Sequence, residues 1–157
     1  MNTLQVKAVP SDCSGEILHW DLEKVKIKLA QKGHPRESIE QLETEYKRYL
    51  MLVVRYSTHL PISGPVDEMW HTHILFTRDY ERLGKAVGGF IHHEPVITKS
   101  RQKSLLANYQ KTLSLYEKHW GVPDPIYWPN NNCVCDPGGE GTDDTGGQLP
   151  PDISPNP

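Results

Sequence analysis

Long apolar runs, an even set of cysteines and nucleotide-binding loops are all missing from this 157-residue sequence. Because no stretch of eighteen apolar residues occurs, the sequence predicts no membrane-spanning segment. Its three cysteines are an odd number, which does not suit the disulfide framework of a small secreted domain. The first residues lack the apolar core of a signal peptide, so we predict a cytoplasmic protein. Without a glycine-rich phosphate loop or a G-x-S-x-G elbow, a nucleotide cofactor or acyl-transfer chemistry has no local support.

Basic residues are absent from the last part of the chain, from 122 to 157. This segment holds six acids and eight of the thirteen prolines, a composition that cannot bury enough apolar surface to offset its ordering entropy. We therefore predict an extended or disordered tail at 122–157, an N-terminal extension at 1–16 and a helical domain at 17–121. Within the tail, only the P-I-Y-W-P cluster at 125–129 is apolar enough to pack back onto the helices.

The charge balance of the chain without this tail is weak. It has 17 basic side chains and 14 acidic ones, which are the 20 acids of the chain less the six in the tail. Nucleic-acid binding usually appears as a clustered basic stripe, so we predict no nucleic-acid partner.

Apolar residues recur at helical spacing in four segments of the predicted domain. No strand-like alternation and no internal repeat accompanies them. Their apolar stripes run over residues 18–29, 39–56, 66–83 and 106–120. The second stripe becomes apolar on every side at Y-L-M-L-V-V, which is typical of a helix buried all round. The sequence therefore predicts an all-α, four-helix bundle-like domain.

Four of the eight histidines lie close together, in V-D-E-M-W-H-T-H and in H-H-E-P. On a helix Asp67 and His71 lie one turn apart on the same face, whereas His73 points about 200° away from His71, beside Trp70. His73 therefore reaches a shared ion only if the helix is distorted; otherwise it forms a buried hydrogen bond that ties the helix to the H-H-E-P loop. Two adjacent loop histidines point in opposite directions, so one of them should join the site. The candidate metal ligands are Asp67, His71, His73, His92 and His93.

Imidazoles with a carboxylate suit zinc, iron, copper or nickel and argue against calcium and magnesium. We expect zinc or iron, with copper as the third choice, and a catalytic site would leave one position to water. Glu68 or Glu94 is a candidate general base, and Arg78 or Tyr80 could position a substrate. Acids near a helix start also favour the helix dipole without any chemistry.

A second interpretation has no metal and no reaction. The histidines would form a buried network that fixes the fold, and the acidic tail would bind an unidentified protein partner. The C-x-C pair Cys133 and Cys135 in the tail is a poor match to a zinc knuckle, so it adds little to either interpretation.

The segments VDEMWHTHILFTRDY and GGFIHHEP resemble the glycine-rich domain-containing-protein-like family. The resemblance extends over about residues 20–121 and carries no established activity. It implies that the histidines belong to one motif set together with Trp70, Arg78 and Tyr80. Such a set is more polar than packing requires, so the resemblance favours a functional polar or metal site.

Overall fold

The structure is a computed structural model that describes residues 13–56, 60–93 and 99–130, with side chains described from residue 104 in the last range. Within these ranges the chain is helical and has no strand, so the predicted all-α class is confirmed. The helices are α1 (Cys13–Leu18), α2 (Glu23–Gln31), α3 (Arg36–Tyr56), α4 (Pro65–Ile74), α5 (Thr77–Ala86) and α6 (Lys99–Trp120). None of them combines the length and apolarity needed to cross a bilayer.

Two of the four predicted helices begin or end differently from the prediction. The first stripe was predicted to begin at Leu18, but Leu18 is exposed and ends a separate short helix, α1, and the chain turns before α2 begins at Glu23. The third stops at Ile74 because the backbone of Phe76 leaves the helical region, with φ −89° and ψ 64°. Neither break contains a proline or glycine, so the sequence pattern gave no sign of it.

Helix α3 is the centre of the fold and contacts α1, α2, α4 and α6. Its stripe of Ile39, Leu42, Tyr46 and Tyr49 is fully buried against these neighbours. The burial of such a stripe removes apolar surface from water and supplies most of the stability of an amphipathic helix. Burial on every side, as predicted for Y-L-M-L-V-V, is only partial, because Met51, Val53 and Val54 keep some exposure.

The residues that follow α6 pack back onto the helices. Tyr127 and Trp128 are buried, and the Trp128 indole N–H donates to the buried carboxylate of Glu45 at 2.9 Å. A Cβ atom on Gly64 would lie 2.8 Å from the ring of Pro129, so the segment crosses close over the start of α4. The boundary predicted at residue 121 thus falls inside the folded body, and α1 begins before the boundary predicted at 17.

The outermost parts of the predicted domain division lie outside the described residues. These parts are 1–12 and 131–157, and the second includes Cys133 and Cys135. The N-terminal extension, the tail and its partner stay predictions for those residues.

Candidate metal centre

Helix α4 carries two members of the site. It begins after Gly64, whose φ of 71° suits glycine, and Pro65 occupies its first turn, where a missing N–H removes no helical hydrogen bond. Asp67 lies in this first turn and is buried, close to the positive end of the helix dipole. His71 lies one turn later on the same face, with its side chain about a third exposed.

His93 comes to the site from the segment after α5, which is anchored to α4 by hydrogen bonds. The Trp70 indole N–H donates to the Tyr80 hydroxyl at 2.8 Å, and that hydroxyl donates to the carbonyl of Ile91. The His93 ring packs on Trp70 with 4.1 Å between the ring centroids. This chain of contacts fixes the backbone two residues before His93, so its side chain is held over α4.

Asp67, His71 and His93 form a compact group that could hold a metal ion. One ligand atom of each lies within 4.8 Å of the other two. His93 Nε2 is 3.4 Å from Asp67 Oδ1, and His71 Nδ1 is 3.5 Å from Asp67 Oδ2. The two imidazole rings are 4.4 Å apart between centroids. The second nitrogen of His71, Nε2, is buried and has no hydrogen-bond partner among the described residues.

The surroundings of His71 favour its neutral form. Burial lowers the pKa of His71, and the nearby His93 and Lys32 lower it further, while Asp67 acts in the opposite direction. A neutral imidazole keeps the lone pair that a metal ion requires. The electrostatics of the group are therefore compatible with metal ligation at neutral pH.

The structure does not bring His73 and His92 into this group. His73 is fully buried on the opposite side of α4, where the Tyr46 hydroxyl is 2.9 Å from its Nδ1 and Asp79 Oδ2 is 2.9 Å from its Nε2. Both ring nitrogens are thus engaged, and the hydrogen bonds lead to α3 and α5 rather than to the loop. His92 is exposed and packs against Phe90. His73 and His92 are therefore corrected from candidate ligands to a structural residue and a surface residue.

The predicted accessory residues have other contacts. Glu68 Oε1 lies 3.0 Å from His34 Nε2 and 3.9 Å from Lys32 Nζ, at the edge of the site. Tyr80 is buried, and its hydroxyl forms the two hydrogen bonds to Trp70 and Ile91 described above. Burial raises the pKa of Tyr80 to about 12, which suits a structural hydroxyl rather than a proton donor at pH 7. Arg78 is exposed on α5, and Glu94 lies outside the described residues.

Two carboxylates that accept hydrogen bonds from buried side chains were missed from the sequence. Asp79 was not recognised as the partner of His73, because the break at Phe76 changes the helical phase between them. Glu45 was not recognised as the buried acceptor for Trp128 and for the Tyr116 hydroxyl, which donates at 2.6 Å. One indication in the sequence that Glu45 is buried is its position directly before Tyr46 in the apolar stripe of α3.

Together the fold and the site define a small all-helical protein with an Asp/His/His group able to hold a metal ion. A family model described as UCP032817-like matches residues 17–116, well over half of the chain. The chain belongs to the UCP032817-like family. The resemblance to the glycine-rich domain-containing-protein-like family was therefore wrong, because the matching family is a different one. No curated protein and no solved structure matches the chain.

Proposed function

We propose that this protein is a metalloprotein that binds one transition metal ion through Asp67, His71 and His93. The observation that carries the proposal is the convergence of one ligand atom from each of these three side chains, all within 4.8 Å of one another. Asp67 is buried, and its carboxylate lies 3.4 Å from His93 Nε2 and 3.5 Å from His71 Nδ1. Two imidazoles beside a buried carboxylate are ligands that suit a transition metal ion.

The donor set favours zinc or iron. Two imidazoles and one carboxylate are the ligands of many catalytic zinc sites and of non-haem iron centres.

Three protein ligands leave at least one coordination position for water or a substrate, which is the arrangement of catalytic rather than structural zinc sites. When bound, zinc lowers the pKa of such a water and polarises a carbonyl or phosphoryl oxygen. The side chains of this protein would hold the ion and exclude solvent from one side, where Trp70 packs on His93. Glu68, the candidate general base, is hydrogen-bonded to His34. We therefore propose metal binding and no particular reaction.

Elemental analysis of the full chain, purified without an affinity tag, tests the proposal. We expect about one zinc or iron per chain after reconstitution, in line with a three-ligand site. His71→Ala should lose the metal, and His92→Ala, a matched surface histidine, should keep it. Less than about a tenth of an equivalent of any transition metal in the natural sequence, both before and after reconstitution, would overturn the proposal.

The non-catalytic interpretation makes a different forecast for a third variant. If the three side chains only tie residues 91–93 to α4, His93→Ala will lower stability equally with zinc and with a chelator. The protein partner predicted for the tail, 122–157, would then be sought by pull-down with the full chain and with a chain ending at Asn130.

A further inference from the structure

A second cavity lies between the α1–α2 turn and α5, and none of the three proposed metal ligands lines it. Its volume is about 800 Å³, within the range of about 300–1,000 Å³ that small-molecule sites occupy. Its lining includes the aromatic ring of Trp20 and several charged side chains. These are Glu16, Asp21, Lys24, Asp79 and Arg82.

Asp79 is oriented in the wall of this cavity by donors from the protein interior. Its Oδ2 accepts the Trp20 indole N–H at 3.1 Å and lies 2.9 Å from His73 Nε2. Burial raises the pKa of Tyr46 well above its usual value. The Tyr46 hydroxyl therefore keeps its proton and donates to His73 Nδ1, and the Nε2–H of His73 donates to Asp79.

The other oxygen of Asp79 is left with a weak partner. Arg82 Nη1 lies 3.9 Å from Oδ1, at the outer limit of an ion pair, and the Arg82 side chain is 74% exposed. Its guanidinium carbon also lies 5.8 Å from the centre of the Trp20 ring. Contacts this long on an exposed side chain contribute little to stability.

Arg82 indicates which chemistry fits the cavity. The Arg82 guanidinium lies over the Trp20 indole and beside the Asp79 carboxylate. A cation is therefore the kind of group that fits this position. If a ligand displaced Arg82, the lining would carry three carboxylates, from Glu16, Asp21 and Asp79, against the single ammonium of Lys24. Such a wall attracts cations and disfavours anions.

We propose that this cavity binds a small organic cation, an amine or guanidinium compound. Asp79 acts as its counter-ion, Trp20 as its aromatic surface, and Arg82 as a side chain that the ligand displaces. The buried His73 and the partly buried Trp20 donate to this carboxylate and hold it in position before binding, so the carboxylate itself need not be reordered.

The test compares phenylguanidine with phenylurea, a neutral compound of nearly the same shape, added to the full chain. The indole N–H signal of Trp20 in the nuclear magnetic resonance spectrum, assigned with Trp20→Phe, reports binding because this N–H donates to Asp79. We expect a saturable shift with phenylguanidine and none with phenylurea. Equal responses to the two compounds would overturn the proposal.

Three variants on α5 sharpen the test. Asp79→Asn should weaken phenylguanidine binding by at least about tenfold, and Glu81→Gln, an exposed acid on the same helix, should not change it. Arg82→Ala should strengthen binding several-fold, because it removes the competing guanidinium from an exposed position without disturbing the core. Weaker binding by Arg82→Ala would contradict the proposal even if Asp79→Asn failed to fold.

Discussion

His71 and His73 are two residues apart and belong to different parts of the molecule. Because α4 is regular through both of them, their side chains point about 200° apart. Only His71 lies on the same face of the helix as Asp67 and can contact the same ion. His73 is instead enclosed between Tyr46 and Asp79. The helical-wheel argument therefore separated the two histidines, but the sequence did not identify Asp79 as the partner.

Replacement of His73 tests this division at the residue scale. His73→Ala should lower the free energy of unfolding by about 2–4 kcal/mol, because it leaves the buried Tyr46 hydroxyl without a partner and opens a cavity. Urea denaturation measures the loss. His92→Ala is the matched control and should leave the midpoint unchanged, since His92 is exposed. Equal small effects of the two variants would contradict the assignment of His73 to the core.

Glu45 is a second residue whose contribution to stability depends on buried hydrogen bonds. Its carboxylate accepts from Tyr116, Trp128 and the partly exposed Arg48. Glu45→Ala should cost about 3–5 kcal/mol, because it leaves buried donors without an acceptor. Glu45→Gln retains one acceptor oxygen and should cost less. Denaturant midpoints decide the order, and a smaller loss for alanine than for glutamine would argue against the proposed role.

At the scale of elements, the sequence predicted the helices from the spacing of their apolar residues but missed two of their breaks. The apolar stripe of α3 could be predicted because each of Ile39, Leu42 and Tyr46 is buried where the helical period requires. The break at Leu75–Phe76 could not be predicted, because both residues are apolar and neither imposes a turn. Leu75 is exposed there, which a burial pattern read from sequence cannot anticipate.

Composition also misassigned the segment after α6. Its prolines and lack of basic residues indicated a tail from residue 122, yet the packing of 127–129 depends on Glu45, which is more than eighty residues away. Local composition carries no information about such a distant acceptor. The cluster at 125–129 was the one sign that the segment could pack on the body.

Two truncations separate these alternatives. A chain ending at Gly121 should have a lower thermal midpoint than the full chain, because it loses Tyr127 and Trp128 from the core and removes a donor from Glu45. A chain ending at Asn130 retains those contacts and should keep the midpoint of the full chain. Calorimetry measures both. Equal midpoints for the two truncations would restore the boundary predicted at residue 121.

At the scale of the whole molecule, buried tyrosines link stability to alkaline pH. Burial raises the pKa of Tyr80 and of Tyr116 to about 12, and the hydrogen bond to Glu45 contributes for Tyr116. In the unfolded chain tyrosine titrates near a pKa of about 10. The unfolded state therefore loses protons first, so this stability is complete below pH 10 and is lost as the pH rises from about 10 to 12.

The expected result is a free energy of unfolding that falls between pH 10 and pH 11. Urea titrations at pH 9, 10 and 11 measure it. Tyrosinate absorbance at 295 nm at pH 10.5 should also be lower for the folded protein than for the protein in urea. Tyr116→Phe should reduce the pH dependence, because it removes one of the titrating groups. A folded protein whose tyrosines all titrate near pH 10 would contradict the prediction.

Metal binding at the proposed site should stabilise the whole fold. The proposed ligands Asp67 and His71 lie on α4 and His93 lies after α5, so the unfolded chain does not assemble the site. Free zinc at 100 times its dissociation constant should add about 2.7 kcal/mol to the free energy of unfolding at 25 °C, and a chelator should remove that increment. His71→Ala and His93→Ala should lose the increment, whereas His92→Ala should retain it. Urea denaturation with zinc and with chelator measures all four proteins, and an undiminished zinc increment in His71→Ala would assign the ion to another site.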